Sequence, residues 1–496
     1  MGGSVVFAVL LIGLLLWNPQ TETKRTSSAE PLVFYCAAGI KPPVEEVVRA
    51  YEEEYGVTIR LQYGGSGTLL SNIRAAQVGD LYLAGDASFI EIAREQGVLA
   101  ESIPLATMRP VIATAKGNPK NIASAQDLLR EDVRVALGNP DAASVGKQTR
   151  IALSQAGLWE LLERAVQTRG VFKPTVNDVA NDLKIGTVDA GVVWDSTANQ
   201  YPELEIVAPL TADDSFTMQV TVGVLKSSER PTEALRFARY LAARDRGLEV
   251  FARHHYNAVD GDVWALEPEI LLLSGGVNRP AIEETLRAFE VREGCKITRV
   301  YNGCGILVAQ MKAGERPDAY FACDVSFMDE VGRLFDEPVD VSETDILIAV
   351  QPGNPRQITS LADLAAEDLK LGVANPEQSA LGALTKRMLA AAGLLDGVMS
   401  NVRSQTPTAD LLVNQLRTGT LDAVIVYEAN IAQVREHLDI VRIDLPSAKA
   451  IQPFAVARAT EHRYLTQRLL DAIASAESQE RYQATGFRWL YSTERP

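Results

Sequence analysis

The sequence repeats itself. The segment LVFYCAAGIKPPVEEVVRAYEEEYGVTI, starting at Leu32, aligns without a gap with ILLLSGGVNRPAIEETLRAFEVREGCKI, starting at Ile270, 238 residues further on. The alignment runs on through YGGSGTLL (from Tyr63) against YNGCGILV (from Tyr301), then GDLYLAGDASF (from Gly79) against PDAYFACDVSF (from Pro317). From Leu32 to Glu91 the copies share 19 of 60 residues, far more than chance. After small deletions Asn139-Pro140 meets Asn375-Pro376, and LKIGTVDAGVVW (ending at Trp194) meets LRTGTLDAVIVY (ending at Tyr427). A period this long excludes a solenoid, whose units run to roughly 20–50 residues. The chain must therefore fold one domain twice: a first from 31 to 262 and a second, diverged one from 263 to 496.

Each copy opens with a short apolar strand and a small-residue turn. A helix with proline at its start follows (Pro42–Pro43; Pro280), where the missing N–H costs nothing. Val44, Val47, Val48 and Tyr51 give that helix an apolar stripe at 3.6-residue spacing, and Gly56 ends it. Strand and helix continue to alternate, which predicts an α/β fold with mixed, mainly parallel sheets, bilobed in each copy.

In such sheets ligands bind beyond the carboxyl ends of the strands. Two loops there are rich in small residues, one around Gly39 and one at Gly64-Gly65-Ser66-Gly67. Both precede helices, so unpaired N–H groups and helix dipoles converge on a place suited to an anion. Ser66 adds a hydroxyl, and Gly65 and Gly67 permit close backbone approach. The same loop also reads as a plain turn with Ser66 as helix cap. Cys304 takes the place of Ser66 in the second copy and is the weaker donor. Asp86 and Asp324 recur at a strand end and read as helix caps. The sequence leaves open whether Cys304 and Cys323 are bonded.

Other functions fall away. A net charge of −16 lacks the basic patch that nucleic acid needs. The four cysteines form no CxxC pair and the four histidines no cluster, which argues against a zinc site. Neither a phosphate-cradling G-K-[ST] loop nor a G-x-S-x-G elbow is present, and no nucleophile–base pair repeats, so an enzyme is not expected. The apolar run Val5–Trp17 is short for a bilayer span and reads as an export signal or an uncleaved anchor, with a polar linker to residue 30. That places the protein in the periplasm or outside the cell.

The strand-AAG-helix start, the YGGSGTLL loop and the DLYLAGDASF segment resemble the periplasmic molybdate-binding proteins of ABC importers, of the type II periplasmic-binding-protein fold. The resemblance spans both copies. It implies a receptor that clamps a tetrahedral oxyanion, molybdate or tungstate, between two lobes and delivers it to an importer permease, with no cofactor. It also implies the ligand positions. A first-loop serine of the family aligns with Gly39 here and Val277 in the second copy. The second-loop serine aligns with Ser66 and Cys304. A helix-start position aligns with Val145 and Leu381, and a backbone donor with Val179 and Leu412. The family's tyrosine aligns with Trp194 and Tyr427. Because neither copy carries every hydroxyl, the alternative is a membrane-tethered sensor or scaffold protein with one or both clefts degenerate.

Overall fold

A computed structural model describes residues 30–211, 213 and 216–492. The apolar run Val5–Trp17 lies outside the described residues. Among those described, no helix is long and apolar enough to cross a membrane.

The strands of the first copy are β1 (Leu32–Ala37), β2 (Ile59–Gly64), β3 (Leu81–Ala84), β4 (Leu99–Met108), β5 (Pro110–Ala115), β6 (Val135–Gly138), β7 (Val171–Lys173), β8 (Ala190–Trp194), β9 (Leu204–Pro209), β10 (Met218–Leu225) and β11 (Asn257–Ala258). They form two sheets, ordered β11-β4-β10-β3-β1-β2 and β7-β6-β8-β5-β9. β1 runs parallel to β2 and β3, whereas β10 runs antiparallel to β3 and β4. The chain crosses from the first sheet to the second at Arg109 and returns between β9 and β10. This gives two lobes joined by two crossovers, with the strand ends of both lobes facing one cleft.

The second copy comprises β12 (Glu269–Gly275), β13 (Lys296–Asn302), β14 (Ala319–Phe321), β15 (Val339–Val350), β16 (Leu371–Ala374), β17 (Val402–Thr406), β18 (Ala423–Tyr427), β19 (Asp439–Arg442), β20 (Lys449–Val456) and β21 (Arg488–Trp489). Here the lobes share one ten-stranded sheet. β15 is continuous: Val339–Asp345 pair with β20, and Ile346–Val350 pair with β18. The difference traces to one residue. Pro110 pairs with Trp194 just as Ile346 pairs with Tyr427. Proline lacks the N–H that would carry the ladder through the crossover, so the first copy breaks where the second runs on.

The opening helices form as the stripe predicts. Lys41–Tyr55 and Arg279–Glu293 each have proline in the first turn and end on a left-handed glycine, Gly56 (φ 66°) and Gly294 (φ 62°). Val44, Val47, Val48 and Tyr51 are buried beneath the first of them. Asp86 and Asp324 cap the next helices, accepting from the N–H groups of Ser88 and Ser326.

Buried apolar clusters divide by copy. One runs from Ile270 to Phe487 and two others lie between Leu32 and Tyr256. The copies meet through polar contacts instead. Glu293, 1% exposed, receives Arg239 from the first copy and Arg468 from the second. Asp262, in the connector, accepts the N–H groups of Tyr464 and Leu465 at a helix start in the second copy. Trp264, also in the connector, turns back and donates to the Tyr55 hydroxyl (3.0 Å).

Candidate ligand-binding clefts

Each copy encloses a cavity of about 20 Å³ between its lobes. By the usual measure that is room for one or two water-sized groups.

The first cavity is lined by Gly39, Gly65, Ser66, Ser144, Val145, Thr175, Val176 and Trp194, among others, and no lining residue is charged. Ser66 is 1% exposed and begins the helix Ser66–Ala76. Its Oγ accepts from the Gly85 N–H (2.9 Å) and from the Ser144 hydroxyl (2.7 Å). With both acceptor positions taken, its own proton is the group it can still offer. Ser144 opens the helix Ser144–Gln155 and Val176 opens Val176–Lys184. First-turn N–H groups have no partner within their own helix, so three helix starts from two lobes converge here.

The glycines of the second loop have a definite job. A Cβ on Gly65 would lie 2.3 Å from the Ala142 carbonyl oxygen and 2.6 Å from that of Pro174. A Cβ on Gly67 would lie 2.4 Å from the Asp141 oxygen. The second copy repeats this at Gly303 and Gly305, with 2.2 Å to Gln378 O and 2.0 Å to Glu377 O. The Gly67 N–H, expected to face an anion, instead donates to Ala142 O at 3.0 Å, and Gly305 N–H donates to Gln378 O at 3.1 Å. These glycines let the lobes meet backbone to backbone.

Four of the expected site residues do not line the cavities. Gly67 is not in the cavity lining, for the reason just given. Val179 and Leu412 are fully buried and pack against Gly191 on β8 and Gly372 on β16. The residues of their helices that reach the cavities stand earlier in the first turn, Val176 in the first copy and Ala409 and Asp410 in the second. Cys304 is buried beneath the second cavity, bonded to Cys323, which does line it. Val277, Leu381 and Tyr427 line the second cavity.

The copies exchange volume across the cleft. Gly39 faces Val176, whose Cγ1 lies 2.6 Å from where a Gly39 Cβ would stand. The counterparts in the second copy are Val277 and Ala409, with large and small reversed. A first-loop serine is thus excluded sterically from the first copy by Val176. The same reversal occurs deeper down. Ala37 and Gly85 in the first copy become Gly275 and Cys323 in the second. A Cβ on Gly275 would lie 2.3 Å from Cys323 Sγ. The Cys323 N–H approaches Cys304 Sγ at 3.0 Å, just as the Gly85 N–H approaches Ser66 Oγ. The disulfide therefore replaces the Ser66 hydroxyl site, and Ala380 replaces Ser144.

The second cavity gains polar groups that sequence matching did not single out, Asp410, Asn430, Ser379 and Asn302, and keeps Thr408 where the first has Thr175. Tyr427 is 3% exposed and its hydroxyl has no hydrogen-bond partner. Burial pushes that phenol well above the usual tyrosine range, with the Asp324 charge adding to the effect. In the first copy the missed residues are Ser144 and Thr175. Ser144 was signalled only by standing one residue before Val145.

Comparison with known proteins follows the same division of the chain. A family model described as bacterial extracellular solute-binding protein matches residues 32–257 and again residues 270–488. A putative binding protein of Haemophilus influenzae is 29% identical over 43% of this chain and 85% of its own length. A putative ABC transporter substrate-binding lipoprotein of Bacillus subtilis is 26% identical over 51% of this chain and 98% of its own length. The molybdate-binding protein of Mycobacterium tuberculosis is 25% identical over 48% of this chain and 91% of its own length. About half of this chain thus suffices to match most of each relative.

Proposed function

Starting from the premise that the chain belongs to the bacterial extracellular solute-binding protein family, we propose that its first copy captures a small tetrahedral oxyanion, molybdate or tungstate, and passes it to an ABC importer. The observation that carries this reading is the paired hydroxyls of Ser66 and Ser144 in a cleft without a charged side chain. A buried anion is best held by neutral donors already oriented toward it, because no counter-charge must then be desolvated. Three helix starts add partial positive charge at the same place. The roughly 20 Å³ cavity suits a compact ion and opposes an organic solute. Sequence similarity to the molybdate-binding protein of Mycobacterium tuberculosis favours this class of anion, and the Bacillus subtilis relative supports an importer as the receiving partner.

Export fits the Cys304–Cys323 bond, since such bonds persist mainly in oxidising compartments. We place the division between the copies within the connector around residues 260–268, and assign Gly39, Gly65, Ser66, Ser144, Val145 and Trp194 to the oxyanion site. Native mass spectrometry of the full chain with molybdate, tungstate, sulfate and phosphate tests the assignment. One bound oxyanion per chain, with occupancy clearly reduced in Ser66→Ala, is the expected result. Absence of binding by all four ions in folded protein overturns it.

A further inference from the structure

The second cleft has the layout of the first but the opposite chemistry. The hydroxyl pair is gone, replaced by the Cys304–Cys323 bond and Ala380. In its place stands a carboxylate. Asp410 occupies the position of Asn177, in the first turn of the helix Ala409–Arg417, and lines the cavity. Asp410 is itself exposed at the cavity mouth, so a dianion approaching this space would meet a like charge there.

The remaining polar groups ask for donors. Asn430 Nδ2 donates to Asp410 Oδ1 at 3.2 Å, which orients the amide and leaves its Oδ1 as the free end. That Oδ1 is buried and has no partner. The Tyr427 hydroxyl is buried and unpartnered in the same cavity. A buried polar atom without a partner carries an uncompensated desolvation cost. These two buried atoms and the exposed Asp410 carboxylate belong to residues that line one cavity, and of the three only the tyrosine hydroxyl can donate. Arg279 lies near enough to act electrostatically on Asp410, but its guanidinium is over the Tyr301 ring (5.4 Å) and it does not line the cavity. The chain's charge of −16 draws cations and repels dianions at long range.

We propose that the second cleft binds a compact protonated amine, of the size of ammonium or methylammonium. Its N–H groups are shared among Asp410, the Asn430 side-chain oxygen and the Tyr427 hydroxyl. The cavity volume of about 20 Å³ sets the size limit. This inference takes the family reading as given and adds a second solute class to the same chain.

Isothermal titration of the full chain with methylammonium chloride and ammonium chloride, against potassium chloride at equal ionic strength, is the test. Potassium matches ammonium in size but has no N–H group. The expected result is one saturable amine site per chain, weakened at least tenfold in Asp410→Asn, at least threefold in Tyr427→Phe, and unchanged within twofold in Ser66→Ala. Should Asp410→Asn fail to fold, Tyr427→Phe alone decides. Absence of saturable amine binding, equal binding of potassium, or amine binding insensitive to the variants overturns the proposal. A molybdate titration of the same sample reads the first cleft separately, so failure there leaves the amine result standing, and the reverse.

Discussion

The hydroxyls of Ser66 and Ser144 lie 2.7 Å apart across the first cleft, although 78 residues separate them in the chain. One belongs to each lobe, so the pair can form only when the lobes are together. The geometry of the Ser66 hydroxyl thus depends on how the lobes meet. Ser66→Ala should remove a charge-assisted donor and weaken oxyanion binding by about 1–3 kcal/mol, a factor of roughly 5–150. Ser144→Ala should cost somewhat less, because it removes the hydroxyl that orients Ser66. Cys304→Ala should leave the first site untouched. Equal losses from Ser66→Ala and Cys304→Ala in a calorimetric titration would sink the assignment of the oxyanion to the first copy.

Gly65 offers a cleaner separation of folding from closure. Its own backbone is ordinary (φ −68°, ψ 146°), so alanine is tolerated there as a single residue. The clash arises only against Ala142 O and Pro174 O of the opposite lobe. Gly65→Ala should leave each lobe folded, since the contacts it violates lie between the lobes. It should nevertheless lose most oxyanion affinity and fail to contract in small-angle scattering when molybdate is added. A variant that contracts normally would show that closure does not depend on this contact.

Much of this was legible in the sequence, and the limits have physical causes. The duplication, the alternation of elements and the loop containing Ser66 all follow from local patterns: repeat identity, apolar spacing and glycine placement. Ser144 did not stand out, because its role comes from a partner 78 residues away. Val179 and Leu412, aligned as backbone donors, turn their side chains into the core, and alignment alone does not say which residues of a helix's first turn line the cavity. The paired exchanges, Gly39 and Val176 for Val277 and Ala409, could be understood only once the lobes were seen in contact. Asp410 was hidden because an Asn-to-Asp change in a helix's first turn reads as ordinary favourable charge placement.

The Cys304–Cys323 bond should govern the second copy alone. It closes a loop of 19 residues, for which chain entropy gives about 3 kcal/mol. Reduction should lower the melting temperature of the chain, while below that temperature oxyanion binding by the first copy persists. Thiol titration of the unfolded, unreduced chain should find two free cysteines, Cys36 and Cys295. In the folded protein both should be inert, since each is buried and burial pushes the Cys295 thiol up to about 12. Four titratable thiols in the unreduced chain would refute the bond.

Glu293 gives the pair of copies a pH dependence whose sign can be worked out. Burial alone would raise its carboxyl, but the Arg468 and Arg239 guanidiniums overcome this and hold it below the usual carboxylate range. A lowered folded value means the contribution is fully present above the unfolded value of about 4.3 and is lost as pH falls through the folded value. Stability should therefore decline below about pH 4. Arg468 reaches Glu293 Oε1 at 2.6 Å and Oε2 at 3.0 Å, and Arg239 reaches Oε2 at 3.1 Å. Glu293→Gln strands two buried cations at once, a loss of about 3–5 kcal/mol at neutral pH. Because Arg239 belongs to the first copy and Arg468 to the second, the loss should also uncouple them. Urea unfolding followed at pH 7 should pass from one transition in the parent to two in Glu293→Gln, with a flatter acid limb. Two transitions already present in the parent would mean that the buried carboxylate does not join the copies into one cooperative unit.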